Sequence, residues 1–328
     1  MDATGGHDRA TTTGTPRHRR AGRRWRTVIV MTAAGAMVVP TGATAGGHTD
    51  WSAAVEVPNV NAPGIADGCP IESPDGQQLF IASRRGPGGD NDIWVATRGA
   101  DGEFGAPTML PAPVNSDADD FCPTPMRGNH LLFVSTRGGV DAYGTRACGG
   151  GDIYLTRRSP ATDSWQEPRN LGCAPDGPNM AGSEFGPSRV ETADGTILFF
   201  SSGGPPGSNT QDVYMSWLQP DGTFGAPSPV DALNTDDWDD MMPNVSKDGR
   251  EVVVASNRPG GEGGFDIWSS TRDAVSDAWA PPTNLGPAVN TAGGETRPSL
   301  SWHGERLYFG RDGVVFVSTR SKETGRRR

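Results

Sequence analysis

Three observations predict an all-β fold built from repeated four-stranded antiparallel units. The 328-residue chain holds 46 Gly and 28 Pro, more than a fifth of all positions, against roughly 12% in average proteins. After residue 46 the longest stretch free of both is Phe265 to Ala280, 16 residues, which leaves no room for a helical bundle or a doubly wound α/β sheet. Short β-branched and aromatic runs (LFIAS, LLFVS, ILFF, EVVVAS) recur at even spacing with nine Trp in the chain, a pattern of short strands and many turns and not of disorder. Most decisively, the chain aligns with itself as five copies of one pattern at a step of roughly 50 to 60 residues.

Each copy opens with an acid three residues before a Pro: Asp67/Pro70, Asp120/Pro123, Glu184/Pro187, Asp240/Pro243 and Glu295/Pro298. Five or six residues earlier stands an Asn (Asn61, Asn115, Asn179, Asn234, Asn290). The first strand leads into turns such as Pro74-Asp75-Gly76, Arg127-Gly128-Asn129, Asp194-Gly195, Lys247-Asp248-Gly249 and His303-Gly304, whose Gly and Asn tolerate the positive φ of tight hairpins. The second strand is apolar and ends in Ser-x-Arg in three copies (Ser83/Arg85, Ser135/Arg137, Ser256/Arg258), while copies three and five lack the Arg. A Gly-rich loop follows, then a third strand opening with Asp-aliphatic-aromatic at Asp92, Asp152, Asp212 and Asp266, replaced in copy five by Val314-Val315-Phe316. The fourth strand is expected to start at an aromatic residue with Pro three later: Phe104/Pro107, Trp165/Pro168, Phe224/Pro227 and Trp279/Pro282.

Four antiparallel strands repeated five times describe the blades of a five-bladed β-propeller. The fifth copy ends after three strands at Arg320, and Trp51 to Asn61 matches the spacing of a fourth strand. The N-terminal strand is therefore expected to close the last blade and remove an open sheet edge. The repeat, with its acid-x-x-Pro, Ser-Pro-Asp-Gly turn, Ser-x-Arg and Asp-Ile-Trp, resembles the PD40, or WD40-like, repeat of TolB-type propellers over about residues 51 to 320. Its five copies depart from the six blades of TolB, and it leaves no room for the α/β domain that precedes the TolB propeller, so it is not expected to be a TolB orthologue. The resemblance implies an exported fold that binds proteins or glycans, and no particular reaction.

The formal charge of −10 divides unevenly: residues 1–45 carry seven Arg and two Asp, leaving −15 for the rest, which has only Lys247 and Lys322 as lysines. So acidic a domain is a poor partner for nucleic acid. Six Arg between Arg17 and Arg26 precede an apolar run, Thr27 to Val39, and Ala43-Thr44-Ala45, so residues 1–45 read as a signal peptide of the Sec or Tat type cleaved after Ala45. The first Cys is Cys69, so no lipid anchor is expected, and nothing after cleavage is long enough to span a membrane. The boundaries expected are 1–45 signal, 46–321 propeller and 322–328 basic disordered tail, in a secreted or cell-envelope monomer. Export favours oxidised cysteines, and repeat position pairs Cys148 with Cys173 around one blade and Cys69 with Cys122 at equivalent places in neighbouring blades.

In an antiparallel meander the starts of strands one and three and the ends of strands two and four share a face, here acidic and Gly-rich. A protein or glycan partner is expected there, at Asp120, Glu184, Asp240, Glu295 and the aromatic Trp238. If the chain were instead a five-bladed propeller glycosidase, Asp67, Asp120 and Glu184 would be its acid and base candidates. Five equivalent acids favour a structural role paired with the Ser-x-Arg arginines, because catalysis needs carboxylates whose environments differ. The strand-three aspartates are expected to brace the loops before them. No cofactor is required, although Asp119, Asp120, Asp237 and Asp239 lie in segments dense enough in hard oxygens for Ca²⁺. No nucleophile elbow, zinc motif or phosphate-cradling loop is present.

Overall fold

In the computed structural model the described residues are 47–203 and 210–322. The contacts divide the chain into Met1–Thr41 and Gly42–Arg328, and the signal-peptide reading, residues 1–45, lies outside the described residues. Within the second unit the described residues contain no helix and form five four-stranded antiparallel sheets, arranged as a five-bladed β-propeller. No helix among them is long and apolar enough to cross a membrane.

The chain enters with β1 (Val55–Glu56). Blade one is β2 (Asp67–Glu72), β3 (Gln78–Ser83), β4 (Asp92–Thr97) and β5 (Thr108–Met109). Blade two is β6 (Asp120–Met126), β7 (His130–Ser135), β8 (Asp152–Arg157) and β9 (Arg169–Asn170). Blade three is β10 (Glu184–Thr192), β11 (Gly195–Ser202), β12 (Asp212–Trp217) and β13 (Ser228–Pro229). Blade four is β14 (Asp240–Val245), β15 (Glu251–Ser256), β16 (Asp266–Thr271) and β17 (Thr283–Asn284). Blade five is β18 (Glu295–Leu300), β19 (Arg306–Arg311), β20 (Val314–Thr319) and, as its outer strand, β1.

The two-residue outer strands of blades one to four follow the Pro, and upstream of it the aromatics Phe104, Trp165 and Phe224 pair as single antiparallel bridges with Arg98, Arg158 and Leu218, as expected of a strand that starts there. Phe104, Phe224 and Trp279 also sit 4–6% exposed between blades, packed into the apolar clusters there. The closing strand pairs Val55 with Val317 and Glu56 with Phe316, and the clasp extends through Ser52 N–H to Thr319 and Val57 N–H to Val315. Lys322, placed by the sequence reading in the tail, forms a β-bridge with His48.

The core lies between blades, as five separate apolar clusters, one for each interface. Val57 and Val60, 4% and 0% exposed, complete the cluster between blades five and one with Leu79, Ile81 and Tyr308. Alternate residues of each middle strand face opposite neighbours, so both faces are buried and the strands read as continuous β-branched runs. Two ion-pair networks clamp blade five on either side: buried Glu72 accepts from Tyr308, Arg306 and Arg98, and Arg320 forks onto Glu251 at 2.6 and 2.8 Å.

Candidate functional site

The five opening acids sit where one blade hands the chain to the next. Each donates its backbone N–H to the residue just before the third strand of the preceding blade or, for Asp67, to Gly313 before β20, at 2.7–2.9 Å. The invariant Asn completes the joint. Its carboxamide accepts from and donates to the backbone of one residue in that strand, Asn115 with Ile93, Asn179 with Ile153, Asn234 with Val213, Asn290 with Ile267 and Asn61 with Val315. A single side chain thus does the work of one more residue of sheet ladder.

The acid side chains are 0–2% exposed. In each, one oxygen accepts the N–H of a residue four or five positions earlier: Ala62 to Asp67, Ser116 to Asp120, Met180 to Glu184, Thr235 to Asp240 and Thr291 to Glu295, at 2.7–3.1 Å. In four blades an arginine holds the carboxylate as well. Arg85 reaches Asp67, Arg137 reaches Asp120 at 2.6 Å, Arg258 reaches Asp240 and Arg311 reaches Glu295 at 2.6 Å. Each of these arginines also donates to a carbonyl of the connector before the acid: Val60, Pro113 and Val114, Leu233, or Val289. Copy five therefore does carry its arginine, two positions before the place where Ser-x-Arg predicts it. Arg311 lies directly opposite Glu295, where the other blades have Ser, and the longer Glu matches the shift.

Blade three breaks the pattern. Among the described residues no arginine reaches Glu184, Ser202 Oγ donates to Oε1 at 3.1 Å, and buried Oε2 has no hydrogen-bond partner. Desolvation pushes its carboxyl up from an ordinary 4.5 to about 8. At neutral pH Glu184 is a neutral acid while its four counterparts have cations beside them.

The strand-three aspartates divide. Asp152 accepts the N–H groups of Cys148 and Gly149, and Asp266 those of Glu262 and Gly263, bracing their loops. Asp92 and Asp212 receive no such bond among the described residues. Burial, then the neighbouring Asp90, Asp120 and Asp119, push Asp92 up to about 6, and burial and Asp240 raise Asp212.

At the axis each first strand carries a β-bulge just before its Pro, and the bulged residue takes a positive φ in every blade: Cys69, Cys122, Gly186, Met242 and Arg297. These residues plug the ring and leave a cavity of about 30 Å³ with no carboxylate in its wall. Cys69 and Cys122 form a disulfide across it with Cα atoms 4.9 Å apart, and Cys148 and Cys173 form the second at 5.4 Å, both as expected. Gly186 must be glycine, because a Cβ there would lie 2.7 Å from Met242 Cα.

Of the other predicted residues, Trp238 is 41% exposed among exposed Asp236 and Asp237. Asp119 is held by Asn91, and Asp239 accepts from Gln211 and Asn257. Among the described residues no group of three or more His, Cys, Asp or Glu gathers in a way that could hold a metal. The sequence reading overlooked two arginines, Arg297 at the axis and Arg84 beside it. The alignment already placed Arg297 in the column of Cys69, Cys122, Gly186 and Met242, and that departure was the available signal.

No known family's sequence model matches the chain, and no curated protein sequence matches it. Solved structures share the fold. A thermostable family-43 glycoside hydrolase aligns at 12% identity over 81% of this chain and 92% of its own, TM-score 0.52. An endo-arabinase from Bacteroides thetaiotaomicron aligns at 14% identity over 82% and 97%, TM-score 0.52. A protein described as TolB from Agrobacterium tumefaciens aligns at 16% identity over 80% and 78%, TM-score 0.44.

Proposed function

We propose that this chain is an exported, non-catalytic recognition module that binds a glycan or protein partner at the loop face of its ring. One observation carries the reading: the carboxylates a glycosidase would need are enclosed in the joints between blades. Asp67 and Asp120 are 2% and 0% exposed, with both oxygens hydrogen-bonded and an arginine on one of them. Glycoside hydrolysis requires two carboxyl groups flanking the scissile bond, one donating and one accepting a proton, and therefore open to the sugar. The exposed groups on this face, Trp238 with Asp236 and Asp237, are instead a stacking surface and hydrogen-bond acceptors for sugar hydroxyls or a basic partner. The two disulfides accord with an oxidising compartment. The likeness to glycoside hydrolases is one of fold and supplies no reaction.

The test is a turnover screen of chromogenic glycosides and of plant and bacterial polysaccharides, with Asp120→Ala and Glu184→Ala in parallel and melting curves to confirm that each variant folds. No product above blank is expected. Turnover by the parent chain that disappears in a folded variant would overturn the reading.

A further inference from the structure

Between blades five and one the five-fold pattern opens into a pocket of about 360 Å³, in the range of small-ligand clefts. Its origin is a run of small residues in columns that other blades fill. The residue after the opening acid is Phe121, Phe185 and Met241 in blades two to four, and Phe121 and Phe185 pack ring to ring at 5.7 Å. In blades one and five the same column holds Gly68 and Thr296, and Gly310 lies directly across from Thr296.

Two arginines face this space. Arg297 comes off the axial bulge of blade five and extends over Gly68, so closely that a Cβ on Gly68 would lie 2.5 Å from its Nη1. It makes no hydrogen bond or ion pair among the described residues, and burial together with the nearby positive charge of Arg84 lowers its pKa. Arg84 occupies the middle of Ser-x-Arg. There, in blades two, four and five, Thr136, Asn257 and Asp312 accept the backbone N–H just before the blade's acid, at 3.0, 2.8 and 3.3 Å. Arg84 has no acceptor to offer that N–H, and its side chain is 58% exposed, 4.0 Å from an Asp119 oxygen that Asn91 already holds. Asp67 also borders the pocket, but Arg85 and Ala62 occupy its oxygens. In a domain of charge −15, two neighbouring guanidinium groups, Arg297 with no carboxylate partner among the described residues and Arg84 with only a long, exposed pairing to Asp119, offer a site for an anion.

We propose that this pocket binds the carboxylate of a uronic acid residue in a glycan, with Arg84 and Arg297 on the carboxylate and Thr296 and Asn91 placed for the ring hydroxyls. The proposal rests on the recognition reading above and names its ligand class. A monoanion suits the surroundings better than a phosphate monoester of charge about −1.5 to −2, since Asp67 and Asp119 stand at the rim and repel a second charge. Gly68 makes room for the Arg297 side chain, and Gly310, with no side chain opposite Thr296, leaves backbone that a sugar ring can approach.

The experiment is calorimetric titration of the purified protein with oligomers of galacturonate, glucuronate and mannuronate, with their methyl esters, and with inorganic phosphate. At least one uronate is expected to bind saturably, and its methyl ester to bind about tenfold or more weakly, because a charge-assisted pair has been lost. Arg84→Gln, at an exposed site where folding is safe, should cost a similar factor. Gly68→Ala, whose Cβ displaces Arg297, should abolish binding while leaving the fold intact by circular dichroism. The proposal is overturned if no uronate binds, if the esters bind as well as the acids, or if phosphate displaces the uronate at equal concentration. A neutral glycan or an envelope protein bound equally by the parent and Arg84→Gln, with no uronate bound, defeats this pocket and leaves the recognition reading standing. A uronate oligomer that binds and is cleaved does the reverse.

Discussion

Glu184→Gln should make the protein more stable at pH 8 and change it little at pH 4.5. The carboxyl is pushed from 4.5 to about 8 by burial without an arginine, so the folded state holds a proton that the unfolded state releases. A raised folded pKa in an acid gives stability that is complete below the unfolded value, near 4.5, and is lost as pH climbs through the folded value, near 8. At about 1.36 kcal/mol per pKa unit, the loss by pH 8 is on the order of 4 kcal/mol. Gln is neutral at every pH, nearly isosteric, and can keep the bond from Met180 N–H, so it escapes that loss. For a domain of this size the difference corresponds to a melting temperature higher by on the order of 10 °C at pH 8. The assay is differential scanning calorimetry of both proteins from pH 4.5 to 8.5. Asp92, Asp212 and other titrating groups are common to the two and cancel in the difference. A gap between the curves that does not change with pH would refute the reasoning, because Glu184 would then hold the same charge in the folded and unfolded states.

Arg137→Gln leaves Asp120 buried and without its cation, and should cost about 3–5 kcal/mol in denaturant unfolding; a cost under about 1 kcal/mol would show that the latch contributes little. Deleting residues 46–62 removes β1 and the buried Val57 and Val60, worth roughly 1.5–3 kcal/mol each, and exposes the edge of β20. A lower melting temperature and concentration-dependent aggregation are expected, whereas deleting 322–328 should change little, and equal melting for the two would contradict closure by the N-terminus. Cys69→Ser with Cys122→Ser opens a crosslink spanning 53 positions and should cost about 4 kcal/mol by chain entropy, read as a shifted urea midpoint.

The ring was legible because it repeats. The Asn, the acid and the turn glycines each recur five times, and a pattern repeated five times reports a shared backbone requirement more reliably than any single motif. What the sequence left hidden are the places where one copy differs. Arg311 escaped notice because it stands two positions earlier than the other arginines, directly opposite its Glu, a change that only strand register exposes. The missing arginine of copy three was visible, but that its loss leaves a neutral acid depends on how deeply Glu184 is buried. Arg84 and Arg297 were passed over because a repeat alignment rewards agreement, while the pocket they share arises from Gly68, Thr296 and Gly310 disagreeing with their columns. The outer strands are broken between the bridge at the aromatic and the two residues that pair after the Pro, which has no N–H to give a ladder.

On the proposed reading the loop face binds its ligand without converting it. The most direct measurement is a glycan-array and envelope pull-down screen, followed by prolonged incubation of the strongest ligand with the protein at saturating concentration and mass analysis of what is recovered. Saturable binding is predicted, weakened by Trp238→Ala, with the ligand recovered at its original mass. Recovery of shortened products from the parent protein, and of intact ligand from a folded Asp120→Ala variant, would contradict it.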